Sequence, residues 1–159
     1  AVGCEMIFTV YCVSHRPSSW VKLAIEEYKK RLPRNFTFEL VYVSPSFHSS
    51  NSKVRMREEG ERLLKAIPKQ TYLVSLEVSG KPLSTEALVK KMTYFQEESP
   101  KVAIAIGGAD GLSPNIVDRS KESWSLSALT LPHQVVQVVL AEQIYRGWSI
   151  LQRHPYHRA

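Results

Sequence analysis

The sequence predicts an α/β domain built on a mainly parallel sheet. Three observations lead there. Apolar, partly β-branched runs alternate with amphipathic segments along most of the chain. One run, Lys101–Ile106, is continuously apolar after its lysine, the pattern of a strand covered on both faces. That run leads directly into a glycine loop, Ile106-Gly107-Gly108-Ala109-Asp110-Gly111-Leu112. In α/β sheets, ligands bind beyond the carboxyl ends of the strands, where such loops lie.

Each element follows in order. Residues 7–13 are apolar and end at Ser14-His15-Arg16-Pro17-Ser18-Ser19, a strand followed by a loop. Ser19 can cap a helix that carries Trp20, Leu23, Ala24, Tyr28 and Leu32 on one face. Lys29, Lys30, Arg31 and Arg34 crowd its end, where cations suit the helix dipole. Phe36, Phe38, Leu40 and Tyr42 alternate as a second strand, and residues 44–52 form a serine-rich loop with Pro45. Val54, Arg57, Leu64 and Ile67 mark the next helix. Residues 71–78 read as a third strand closed by Ser79-Gly80-Lys81-Pro82. Ser84 or Thr85 starts a helix with Leu88, Met92 and Phe95 inward. A short helix from Pro114, a last strand at 124–127 and a long helix over 134–151 complete the series. The long helix offers Val135, Val139, Ile144, Trp148 and Leu151 for burial.

No repeat, low-complexity segment or linker divides the chain. Residues 6–158 are therefore expected to form a single domain, with 1–5 set aside as an extension or cloning remnant. A chain of 159 residues can bury a core without staples. Its 43% hydrophobic and 23% charged content is that of a globular protein. The formal net charge of +6 and pI of about 9.4 fit a polyanionic partner such as nucleic acid, although mild basicity is also common by chance. Cys4 and Cys12 make neither a metal spacing nor a C-x-x-C pair, which suits a reducing, cytoplasmic setting. No run approaches the ~18 apolar residues of a membrane helix, and no secretory leader is visible. No histidine or cysteine cluster suggests a metal, and no G-x-S-x-G elbow suggests a serine hydrolase.

Three segments in the last third could carry chemistry. The glycine loop is G-G-x-x-G, not G-x-G-x-x-G, and no P-loop lysine follows, so it reads equally as a turn or a cofactor loop. The uncharged stretch Ser125-Leu126-Ser127-Ala128-Leu129-Thr130-Leu131-Pro132-His133 could wrap an adenine or a thioether. Composition alone favours a buried strand leading into a helix. The ending His154-Pro155-Tyr156-His157-Arg158 offers proton acceptors, a stacking ring and a phosphate clamp. His15 and His48, in loops, read as surface residues.

These segments, with Ala141-Glu142-Gln143-Ile144-Tyr145-Arg146, resemble the signature of the ribosomal RNA large-subunit methyltransferase H (RlmH) family of the SPOUT superfamily. The resemblance runs from Met6 to Arg158 and rests on four motifs in order. It implies an α/β SPOUT fold with a C-terminal trefoil knot, a topology otherwise nearly absent from proteins. It implies S-adenosylmethionine as cofactor, with S-adenosylhomocysteine as product. Leu76, Gly107, Leu126, Ser127, Ala128, Leu129, Thr130 and Leu131 would form the cofactor site. It also implies a homodimer with the active site near the subunit boundary.

The implied reaction is methyl transfer to N3 of a pseudouridine in large-subunit rRNA on the assembled ribosome. His133, His154, Tyr156 and Arg158 are the expected catalytic neighbourhood. His133, Tyr145, His154 and His157 are candidates to accept the N3 proton. Lys29, Arg31, Arg34, Arg146, Arg153 and Arg158 are the expected basic RNA surface. One departure lies near Ser14, where the family usually carries glycine. A non-catalytic ribosome-assembly protein and a SPOUT transfer-RNA methyltransferase are the competing readings.

Overall fold

A computed structural model describes residues 5–47 and 49–158, excluding the side chains of His157 and Arg158. The expectations for residues 1–4, for His48 and for those two side chains lie outside the described residues. The elements are β1 (Met6–Val13), α1 (Ser19–Lys29), β2 (Phe36–Val43), α2 (Ser52–Ala66), β3 (Tyr72–Pro82), α3 (Thr85–Glu98), β4 (Lys101–Ile106), α4 (Pro114–Arg119), β5 (Glu122–Ser125) and α5 (His133–Leu151). A 3-10 turn, Pro155–Arg158, follows.

The five strands form one sheet in the order β2-β1-β4-β3-β5, and every pairing is parallel. Parallel strands need a cover on both faces, and the side-chain alternation supplies it. Met6, Phe8, Val10 and Cys12 of β1, with Val102, Ile104 and Ile106 of β4, enter one core with residues of α1, α3 and α5. Tyr11 and Val13, with Ala103 and Ala105, enter a second core with Leu63 of α2 and Ile116 of α4. The alanines of β4 mark the face on which α2 and α4 pack.

The register aligns the carboxyl ends. Cys12 and Leu76 both pair with Ile106, and Trp124 pairs with Leu76. The next residues along these strands, Val13, Gly107, Glu77 and Ser125, therefore meet at one edge. β1 leads through α1 to β2 on one side of the sheet, whereas β4 leads through α4 to β5 on the other. That reversal between neighbouring strands opens a crevice at their carboxyl ends.

The structure corrects several local expectations. Ser18, not Ser19, occupies the N-cap of α1. Trp20 and Leu23 are 51% and 71% exposed, and Val21 and Ile25 are buried instead. This helix is apolar on two sides, so periodicity alone does not fix which side turns inward. On α2, Leu63 is buried and Arg57 is exposed. On α5 the buried positions include Gln137, Leu140, Ala141, Ile144 and Tyr145, because the helix packs against both α1 and α3.

β3 does not end at its serine-glycine turn. Residues 77–80 bulge outward, and the strand returns to pair Lys81 with Trp124 and Pro82 with Ser125. Gly80 permits this return: a Cβ there would lie 2.8 Å from the Trp124 carbonyl carbon. α3 matches its expectation, with Ser84 as N-cap accepting from Ala87 N and with Leu88, Met92 and Phe95 buried. Cys12 is fully buried, as a small apolar side chain would be.

Candidate active-site cleft

The carboxyl ends of the strands open into a cleft of about 1060 Å³. Its floor is the glycine loop after β4. A backbone bond from Gly111 N to Gly108 O, 3.1 Å, folds that loop into a turn. Gly107 packs against the returning chain, and a Cβ there would lie 2.6 Å from the carbonyl carbon of Gly111. Gly111 adopts φ of 87°, a conformation that strains any side chain. Arg55 of α2 grips the loop from the side, with Nε 3.0 Å from Asp110 Oδ2 and a second nitrogen 3.2 Å from Oδ1. These bonds hold the Asp110 carboxyl below its usual pKa.

One wall is the segment expected to hold a cofactor. Leu76, Gly107, Leu126, Ser127, Leu129, Thr130 and Leu131 all line the cleft. Ala128 is exposed and is not among the lining residues. Ser127 Oγ accepts from Leu129 N at 2.9 Å, which turns the segment. Glu77, Val78 and Ser79 of the β3 bulge join this wall, as does Gln134 from the first turn of α5. Gln134 Oε1 is buried without a hydrogen-bond partner among the described residues. Such an acceptor suits a donor on a bound ligand.

The opposite wall was not expected from the sequence. It comes from the loops after β1 and β2, with Ser14, His15, Arg16, Pro45, Ser46 and Phe47, and from Glu59 of α2. Glu59 is only 4% exposed; its Oε2 accepts from Ser46 N, and its Oε1 has no partner among the described residues. A serine-proline loop and a helical glutamate 13 residues apart carry no motif, so no sequence signal joined them.

His133 opens α5 at the cleft and is exposed. Gln137, one turn on, places Nε2 3.3 Å from His133 Nδ1 and 3.4 Å from Cys12 Sγ. Tyr42 donates its hydroxyl to Gln137 Oε1 at 2.8 Å, which orients the amide nitrogen toward the other two. An amide nitrogen only donates, so His133 accepts at Nδ1 and offers N–H at Nε2. Burial pushes the Cys12 thiol and the Tyr42 phenol up to about 12, so both stay protonated near neutral pH.

His154 and Tyr156 lie elsewhere. They follow the far end of α5 and do not line the cleft; the helix rise separates His133 from Glu142, against which Tyr156 packs, by about 13 Å. Arg153 holds φ of 57°, His154 N donates to Ser149 O at 2.7 Å, and Arg153 N donates to Ile150 O at 3.1 Å. This closes the helix as a Schellman turn, with arginine where glycine is usual. The turn folds the tail back. Tyr156 donates to Glu142 Oε2 at 2.7 Å and meets Tyr145 edge-on at 4.7 Å. Arg146 pairs with Glu142 at 2.9 Å and lies 5.1 Å from the Tyr156 ring centre. Burial, then the bond to Glu142, raises the Tyr156 phenol pKa. Tyr145 is buried inside this aromatic cluster.

The expected basic surface divides. Lys29, Arg31 and Arg146 are engaged in ion pairs with glutamates. Arg34 and Arg153 are exposed, with no ion pair among the described residues. Among the described residues, no group of three or more His, Cys, Asp or Glu is arranged to hold a metal. No described helix is long and apolar enough to cross a membrane.

Residues 6–157 match the profile of the family described as "Predicted SPOUT methyltransferase". A ribosomal RNA large subunit methyltransferase H from Chromohalobacter salexigens is 41% identical, covering 96% of this chain and 100% of the relative. Those named alike from Methylococcus capsulatus and Saccharophagus degradans are 40% and 43% identical, over the same shares of both chains. A glycine loop and an aliphatic turn facing each other at the carboxyl edge of a parallel sheet, matched by likeness over nearly the whole chain, place this protein in the SPOUT methyltransferase family.

Proposed function

We propose that this protein is a ribosomal RNA methyltransferase. In this reading it transfers a methyl group from S-adenosylmethionine to N3 of a pseudouridine in large-subunit rRNA, on the assembled ribosome in the cytoplasm. The observation that carries the reading is the cleft itself, bounded by the glycine loop and by Leu126, Ser127, Leu129, Thr130 and Leu131. The names of the relatives support the rRNA substrate.

The residues present fit the cofactor. Leu76, Leu126, Leu129 and Leu131 provide aliphatic walls for an adenine ring. Gln134 Oε1 is a buried acceptor without a protein donor among the described residues. When bound, the cofactor supplies a methyl group already activated on a sulfonium. The residues then orient the substrate, and the N3 proton leaves to water as the new N–C bond forms. His133, held as an Nε2–H donor by Gln137, can bond a carbonyl oxygen beside the reacting nitrogen and stabilise charge developing there. Tyr156 gives its one hydroxyl hydrogen to Glu142, so toward a substrate it offers its ring face and the remaining lone pair of its oxygen.

The reading takes residues 6–158 as a single domain with a C-terminal trefoil knot. It also takes the protein as a homodimer. The absence of His154 and Tyr156 from the residues lining the cleft of their own chain supports a site in which one protomer's tail approaches its partner's cleft. His154, Tyr156 and Arg158 would then act beside His133.

The test is methyl incorporation from labelled S-adenosylmethionine into ribosomes that lack the modification, with separated subunits and bulk transfer RNA in parallel. Label in a large-subunit pseudouridine, on assembled ribosomes only, is the expected result. Label in transfer RNA overturns the substrate. No label anywhere, from a folded protein, favours a non-catalytic assembly role.

A further inference from the structure

Phe47 is 72% exposed, yet it is not on a loose segment. Ser46 beside it is fixed twice to α2: its N–H donates to Glu59 Oε2 at 3.0 Å, and its hydroxyl to Glu58 Oε2 at 2.8 Å. Arg62 adds a bond to Ser44 O at 2.8 Å. The buried carboxylate of Glu59 is thus committed to a loop whose next residue is an aromatic ring in solvent. His15, from the loop after β1, lies parallel to that ring, with centroids 5.6 Å apart and planes 9° apart. Two loops distant in sequence therefore bring an exposed, stacked ring pair to the cleft, with the exposed Arg16 beside it.

Holding an apolar ring in water has no folding benefit. The outer face of an exposed ring stack beside a cation is the arrangement that receives an unstacked nucleobase and its phosphate. Arg16 has no ion pair among the described residues, and the chain carries a net charge of +6. Charge and shape both favour a polyanion with flat faces.

We propose that His15 and Phe47 form a stacking platform for a base of the RNA substrate at the mouth of the cleft, with Arg16 meeting its phosphate. This rests on the RNA-methyltransferase reading and adds a surface that holds the substrate's base. The platform contacts RNA and leaves the cofactor wall alone.

The experiment compares Phe47→Ala, Phe47→Trp and His15→Ala in the full-length protein. Phe47→Ala is expected to raise KM for unmodified ribosomes about tenfold, the scale of one lost base stack. Its kcat, its S-adenosylhomocysteine affinity by calorimetry and its oligomeric state should not change. Phe47→Trp should restore KM, and its added tryptophan fluorescence should be quenched by ribosomes. An unchanged KM in Phe47→Ala overturns the proposal, as does a changed oligomeric state or a lost cofactor affinity. If the parent methylates no RNA, the two readings separate. Quenching of Phe47→Trp by ribosomes, with weaker ribosome binding by Phe47→Ala, would keep the platform and discard the methyl transfer. No quenching would discard the platform too.

Discussion

The cleft and the tail handle their polar groups in opposite ways. In the cleft, Gln134 Oε1 and Glu59 Oε1 are buried without partners among the described residues, and aliphatic side chains face open volume. At the far end of α5, Tyr156, Glu142 and Arg146 satisfy one another within a cluster of rings. A buried acceptor without a donor costs about 1–3 kcal/mol. The first region is thus arranged to gain on binding. The second is already assembled, a rigid surface that can be offered to something else.

Substitutions can break that contrast, and the largest effect is expected at the cleft floor. In Gly107→Ala, the new Cβ would meet the Gly111 and Leu112 backbone at 2.6–2.8 Å. Overpacking of this kind costs roughly 1–3 kcal/mol, so S-adenosylhomocysteine affinity should fall about 5- to 150-fold. Calorimetry checks this, and unchanged affinity would place the cofactor away from the glycine loop.

A smaller effect is expected at the tail. Tyr156→Phe removes one hydrogen bond to a charged, partly exposed acceptor, worth about 1 kcal/mol. The rate of methyl transfer to ribosomes should fall about fivefold while cofactor affinity stays at the parental value. A joint loss of both would mean that the two regions are one site within a single protomer.

Arg153 sharpens the comparison from the side of stability. Its φ of 57° places a non-glycine residue in the left-handed region, at the turn that folds the tail back. Arg153→Gly should raise stability by roughly 0.5–1 kcal/mol after the entropy of the unfolded glycine is discounted. Thermal unfolding measures it. If ribosome binding weakens in the same variant, the strain is retained for a cation that contacts RNA.

The smallest effect concerns Cys12, under the cleft beside Gln137. Its thiol is pushed up to about 12 by burial. Its contribution to stability is complete below the ordinary thiol pKa and is lost as pH rises toward 12. At pH near 8, iodoacetamide should leave the Cys12 peptide unmodified in the native protein and modify it in denaturant, as mass spectrometry would record. Ready native labelling would mean that the Gln137 network opens.

The frame of the molecule was legible in residue patterns. β4 was recognisable because a strand covered on both faces leaves no room for polar alternation, and Leu88, Met92 and Phe95 repeat at helical spacing. The glycine loop and Leu126, Ser127, Leu129, Thr130 and Leu131 stood out because contiguous residues form them. Periodicity reports which residues share a face of one element, and contiguous motifs report local turns.

Neither reports what a face meets. α1 has two apolar stripes, and only packing against α5, within the core shared with β1, turned Val21 and Ile25 inward and left Trp20 and Leu23 outside. The second wall of the cleft joins Ser14, His15, Pro45, Phe47 and Glu59, residues brought together by the β1–β2 and β1–β4 pairings. His133 lines the cleft, whereas the turn at Arg153 folds Tyr156 back onto Glu142, outside it. Local preference is encoded in neighbouring residues, whereas juxtaposition depends on contacts between segments far apart along the chain, and those exist only once the sheet has formed.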